Sequence, residues 1–62
     1  MKKNMKTICI TGAGNGIGRA IAIEMSKHGY NIVCADINIQ NAKKTLEIIE
    51  QNNQIGIAVK AD

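Results

Sequence analysis

Lys6-Thr7-Ile8-Cys9-Ile10-Thr11-Gly12-Ala13-Gly14-Asn15-Gly16-Ile17-Gly18 runs from a short apolar segment into four glycines at alternate positions. The β-branched residues Thr7, Ile8, Ile10 and Thr11 favour an extended strand, and a continuous apolar run of this length predicts a strand covered on both faces. After Ile17 the apolar period changes from two to between three and four, so the glycines mark a strand-to-helix turn. A turn of that kind gathers backbone N–H groups at the N-terminal end of a helix, where they suit an anion.

The rest of the 62 residues repeats the alternation. Ile17, Ala20, Ile21 and Met25 define a helix from Ile17 to about His28, with Arg19, Glu24 and Lys27 able to reach solvent and Gly29 as its terminating residue. Asn31 to Ala35 reads as a second strand closed by Asp36. Asn38 is placed to cap a second helix whose inner stripe is Ile39, Ala42, Leu46 and Ile49, with Lys43, Lys44, Glu47 and Glu50 on its solvated side. Asn52, Asn53 and Gln54 end that helix, and Gly56 to Ala61 forms a third strand. The expected fold is α/β: the β-α-β-α-β half of a Rossmann-type parallel sheet in strand order 3-2-1, truncated, with residues 1–5 a flexible N-terminus and 6–62 a partial dinucleotide-binding domain. Strand 1 then lies at an open edge, which predicts further protein beside it.

Composition narrows the function classes. Eight Lys and Arg against five Asp and Glu give a net charge of +3, and Lys2, Lys3 and Lys6 supply much of it at one end. The remaining basic residues are scattered among acids, so there is no nucleic-acid footprint. The apolar run at the start is too short for a secretory signal or a membrane span, which makes the cytoplasm the expected location. Cys9 and Cys34 both fall in apolar strands without C-x-x-C spacing, and read as buried free thiols in a reducing compartment rather than a disulfide. His28 has no partner at metal-ligand spacing, so no metal site is expected. No Gly-Lys-[Ser/Thr] follows the glycines, which removes the lysine and hydroxyl of a triphosphate-binding loop.

What remains is a dinucleotide site. Gly12 lets the chain leave the strand in a tight turn, Gly14 adds freedom within it, Gly16 lets backbone approach a pyrophosphate, and Gly18 lets the helix pack closely. Asp36 follows Gly18 by 18 residues at the end of the second strand, where its carboxylate can accept from adenosine ribose hydroxyls and repel a 2′-phosphate. Arg19 is placed to approach a phosphate or to face solvent.

Thr11-Gly12-Ala13-Gly14-Asn15-Gly16-Ile17-Gly18 resembles the T-G-x-x-x-G-x-G motif of the short-chain dehydrogenase/reductase family, and the likeness runs on through Asp36 to Val59-Lys60-Ala61-Asp62. The resemblance implies NAD as cofactor, held by Gly12, Asn15, Gly16, Ile17, Gly18, Asp36 and Asp62, the last beside the adenine ring, with Thr11 helping to order the motif. It favours NAD over NADP, because neither Asn15 nor Ile37 is basic. It also implies interconversion of an alcohol with a ketone or aldehyde by hydride transfer, and a homo-oligomer in a complete member. The family's Tyr-x-x-x-Lys pair is absent: Tyr30 stands four residues before Cys34, and Ser26 has no base nearby, so no catalytic residue is assigned. A noncatalytic nucleotide-binding or partner-binding protein is the alternative, and a disrupted remnant with no folded role is a third reading.

Overall fold

The computed structural model describes residues 6–61, so the readings placed on residues 1–5 and on Asp62 lie outside it. Five elements follow in order: β1 (Thr7–Thr11), α1 (Gly16–Lys27), β2 (Asn31–Asp36), α2 (Ile39–Gln51) and β3 (Gly56–Lys60). The three strands form one parallel sheet in the order β1-β2-β3, the neighbour relations expected from the sequence. Ile8 stands beside Ile32, Ile10 beside Cys34, and Cys34 beside Ala58, so a single register carries one row of side chains across the sheet.

That row faces the helices. Ile10, Ile32 and Cys34 join Ala13, Ala22, Ala42 and Ile49 in the buried core, with Ile8, Ile23, Met25, Tyr30, Ile39 and Ala58 packed around them. Burial of an isoleucine side chain contributes about 1.5–3 kcal/mol. Among the described residues only Ile10, Ile32 and Ile49 are large aliphatic residues with 9% exposure or less, so the core is thin.

Helix ends follow local chemistry. Asn38 caps α2 by accepting from the Asn41 N–H at 3.2 Å, and α2 ends in a turn with Asn53 at φ 63°. α1 closes at His28, followed by Gly29 at φ 93°, a left-handed conformation that suits glycine. On the outside of α1, His28 Nε2 lies 3.2 Å from Glu24 Oε2, one turn earlier. Lys43, Lys44, Glu47 and Glu50 are exposed on α2, as the charge pattern predicts.

Three expectations are corrected. β1 is not covered on both faces among the described residues: Thr7, Cys9 and Thr11 are exposed, and only Ile8 and Ile10 point to the helices. Cys9 is therefore an exposed thiol, whereas Cys34 is buried, and both are free. Burial raises the Cys34 thiol above its ordinary value, with the neighbouring Cys9 adding to the effect. The third correction concerns α1. Of its apolar stripe only Met25 packs on the core, while Ile17 and Ile21 are 80% and 46% exposed and Ala20 is exposed too, and the fully buried residues of the helix are Ala22 and Ser26. Small residues there let α1 lie close to the core, and the Ser26 hydroxyl is satisfied by donating to the Ile23 carbonyl at 2.7 Å.

Candidate functional site

Parallel strands bring all their carboxyl ends to one edge, and the cleft lies there. It has a volume of about 390 Å³ and is bordered by Thr11, Gly12 and Asn15 from the glycine turn, Ala35, Asp36 and Ile37 from the end of β2, and Ala61 after β3. The turn is fastened to β2 by the Ala13 N–H, which donates to the Ala35 carbonyl at 3.0 Å. Past β3 the Ala61 N–H donates to the Asp36 carbonyl at 2.9 Å, so three loop starts converge on one rim.

The glycines do different jobs. Gly12 and Gly16 have φ of 67° and 53° in open space, so their requirement is conformational. Gly14 is glycine for room, not for freedom: a Cβ there would sit 2.6 Å from both Asn41 Cβ and Asp36 Oδ2. Gly18 is also a matter of room, but the backbone it approaches is that of its own turn. An added Cβ would overlap the Gly12 carbonyl oxygen and lie 2.7 Å from the Gly12 carbonyl carbon.

α1 starts at the cleft. Asn15 takes its N-cap position in extended conformation, but its side chain makes no capping hydrogen bond, and the first turn holds no acidic residue. The leading amides of a helix lack internal acceptors, and here they are left to an outside one. Gly16 and Ile17 are exposed beside Asn15. The region can hold an anion by backbone donors alone.

Asp36 closes the other side. Its Oδ2 accepts from the Gly14 N–H at 2.8 Å and its Oδ1 from the Asn38 N–H at 2.9 Å. These bonds, with the Asn38 donor foremost, then Gly14 and with help from the Ile37 N–H, hold the carboxyl below its ordinary value of 3.8 against the opposing effect of burial. Asp36 is thus ionised at neutral pH and fixed in orientation. Each carboxylate oxygen retains acceptor capacity towards the cleft.

Thr45 and the bracing role of Arg19 escaped the sequence reading. Arg19 is half-buried and does not border the cleft. Its Nε donates to Thr45 Oγ1 at 2.9 Å, and its Nη2 donates to the Gly14 carbonyl and, at 3.5 Å, to the Asn41 carbonyl. Thr45 is fully buried and donates to the Ala13 carbonyl at 2.7 Å. A threonine on the Ala42–Ile49 stripe of α2 is the signal that could have found this pair, because a buried hydroxyl needs a partner. Thr11, expected to order the motif, has an exposed side chain on the cleft, and the bracing comes from Asp36, Arg19 and Thr45 instead. Tyr30 is half-buried against the core just before β2 begins, at the opposite end of the strand from the cleft. Among the described residues no group of His, Cys, Asp and Glu could hold a metal ion, and no helix is long and apolar enough to cross a membrane.

Comparison with known proteins agrees with this geometry. The family model described as short chain dehydrogenase matches residues 6–62. Versicolorin reductase 1 of Dothistroma septosporum is 45% identical over 58 residues, an overlap of 92% of this chain and 22% of that protein. A solved structure from Haemophilus influenza, described as a D-mannonate oxidoreductase with bound NAD, superimposes with a TM-score of 0.88 at 32% identity, covering 92% of this chain and 20% of the other. Another, from Agrobacterium tumefaciens, is described as a 2-deoxy-D-gluconate 3-dehydrogenase with bound NADP. It gives a TM-score of 0.85 at 32% identity over 97% of this chain and 23% of the other. The chain thus spans about a fifth to a quarter of the length of the proteins it matches.

Proposed function

Because the chain belongs to the short-chain dehydrogenase/reductase family, we propose that its 62 residues form the NAD-binding part of an oxidoreductase that interconverts an alcohol and a ketone or aldehyde. The observation that carries this reading is the pairing, across one cleft, of an uncapped helix N-terminus with a fixed carboxylate. A dinucleotide has both complements: a pyrophosphate for the amides of α1, and a ribose diol for Asp36.

In this reading Gly12, Asn15, Gly16, Ile17 and Gly18 present backbone to the pyrophosphate and Asp36 accepts from the adenosine ribose, while the family resemblance assigns the adenine contact to Asp62. Bound NAD supplies the hydride acceptor. The chain's own work is to hold and orient the adenosine and pyrophosphate. Hydride transfer calls on a proton-donating tyrosine and its lysine, and the Tyr30-Asn31-Ile32-Val33-Cys34 segment does not provide them. The neighbours include one protein with NAD and one with NADP. For this chain NAD is favoured by charge: a 2′-phosphate would approach the ionised Asp36, with no basic residue at Asn15 or Ile37 to offset it.

Titration calorimetry of the chain with NAD, NADP and AMP tests the reading. NAD and AMP should bind, and NADP more weakly. Absence of heat with NAD at millimolar concentration overturns the proposal, and a preference for NADP overturns its choice of cofactor.

A further inference from the structure

The hydrogen bonds behind the cleft run through one peptide unit. The Ala13 carbonyl accepts from Thr45 Oγ1 at 2.7 Å, and the N–H of the same peptide, on Gly14, donates to Asp36 Oδ2 at 2.8 Å. A peptide is planar, so fixing the direction of its carbonyl fixes the direction of its N–H. Thr45 therefore aims the donor that holds the carboxylate, though it is on α2 and does not border the cleft.

Thr45 is itself aimed. Its oxygen accepts from Arg19 Nε at 2.9 Å, which leaves its single proton for an acceptor elsewhere, and the Ala13 carbonyl at 2.7 Å is closer than the Asn41 carbonyl at 3.4 Å. The other arm of Arg19 takes the Gly14 carbonyl, so the peptide that follows is held too. Arg19 thus spends its fork on neutral oxygens of α2 and the turn. Joining two helices needs no charged group, and apolar side chains would do so without the cost of desolvating a cation. What the fork adds is direction.

Direction is what a diol requires. The terminal torsion of an aspartate is broad, so an unrestrained carboxylate turns easily. Two vicinal hydroxyls can both donate only when the carboxylate plane is held across them. We propose that Arg19 and Thr45 are a positioning pair that fixes the Asp36 carboxylate for a ribose carrying both free hydroxyls, and so set the preference of the cleft for that sugar. The proposal rests on the nucleotide reading above and assigns its selectivity to two residues that do not touch the ligand.

The test compares binding of ADP and 2′-deoxy-ADP by calorimetry. A hydroxyl donating to a fixed carboxylate should favour ADP about tenfold in the unaltered chain. Thr45→Val keeps the volume and removes the hydroxyl. It should weaken ADP about fivefold and bring the ratio down to about twofold. Thr45→Ser should restore the unaltered ratio, which a loss of helix packing would not allow. Arg19→Gln leaves the Thr45 hydroxyl in place and should also compress the ratio, giving a second variant should Thr45→Val fail to fold by circular dichroism. A folded Thr45→Val or Arg19→Gln chain with the unaltered ratio overturns the pair's role. If the unaltered chain binds neither ADP nor NAD, the nucleotide reading itself falls, and the pair's role with it. If it binds ADP and 2′-deoxy-ADP equally, Asp36 does not read the diol and the proposal is overturned by that result alone.

Discussion

A methyl group added at Gly18 would meet the backbone of Gly12, whereas one added at Gly12 would meet open space. Alanine at position 18 must push the turn off the helix, an overpacking cost of about 3 kcal/mol. At position 12 it bears only the left-handed backbone at φ 67°, about 1–2 kcal/mol. Thermal melts should rank Gly18→Ala well below Gly12→Ala, and the reverse order would refute this division of labour. Asp36 gives a second prediction at this scale. Its carboxyl is held below 3.8, so the stability it contributes is complete above that value and is lost as pH falls through the lower folded value. Asp36→Asn removes this dependence, and melts taken from pH 6 down should show a shallower acid limb than the unaltered chain. The glycines and Asp36 could be found from sequence because their spacing along one chain encodes the strand, turn and helix that join them. Arg19 and Thr45 could not, since their meeting is 26 residues apart and depends on how closely α1 approaches α2.

The two helices begin differently, and the difference bears on function. Asn38 caps α2 with its side chain, so Asn38→Ala should cost about 1 kcal/mol. Asn15 holds the same position on α1 without a side-chain bond, so Asn15→Ala should leave the melting temperature nearly unchanged. Asn15→Asp separates stability from binding: a carboxylate beside the helix N-terminus should stabilise the free chain by about 0.3–1 kcal/mol. The same charge should repel a pyrophosphate, so a higher melting temperature must come with weaker NAD binding by calorimetry. A rise in both would remove the pyrophosphate from this helix end. Element order, strand pairing and the Asn38 cap were legible because apolar period and turn chemistry are local. The inner face of α1 was not. Ile17, Ala20 and Ile21 dominate its apolar pattern, yet the fully buried positions are the small residues Ala22 and Ser26. Hydrophobic periodicity identifies an apolar face but not the partner that covers it.

Across the whole molecule the sheet has one face under both helices and one that no helix covers among the described residues. Cys9, Val33 and Ile57 stand side by side in the register, and Thr11, Ala35 and Val59 form the next row. These residues alternate with the row under the helices, so they lie on the face away from them, where Cys9, Thr11 and Ile57 are exposed, Val33 and Val59 half-buried and Ala35 buried. Ile57 is 55% exposed there, and Ile55 just before β3 is 70% exposed. Substitutions on the two faces should therefore have opposite consequences. Ile32 is 1% exposed, and Ile32→Ala should cost about 2–5 kcal/mol. A chain of 62 residues has only about 3–9 kcal/mol of stability to lose, so that variant should lie near its unfolding midpoint at room temperature. Ile57→Thr keeps a β-branched residue in the strand and gives up little buried area, so it should melt within about 0.5 kcal/mol of the unaltered chain. Its effect should appear in solution behaviour instead, because contiguous exposed apolar surface promotes association. Sedimentation of the unaltered chain should become concentration-dependent at a concentration where Ile57→Thr remains monomeric. Loss of cooperative melting in Ile57→Thr, with no change in sedimentation, would show that this face is packed within the chain and that the sheet is covered on both sides after all.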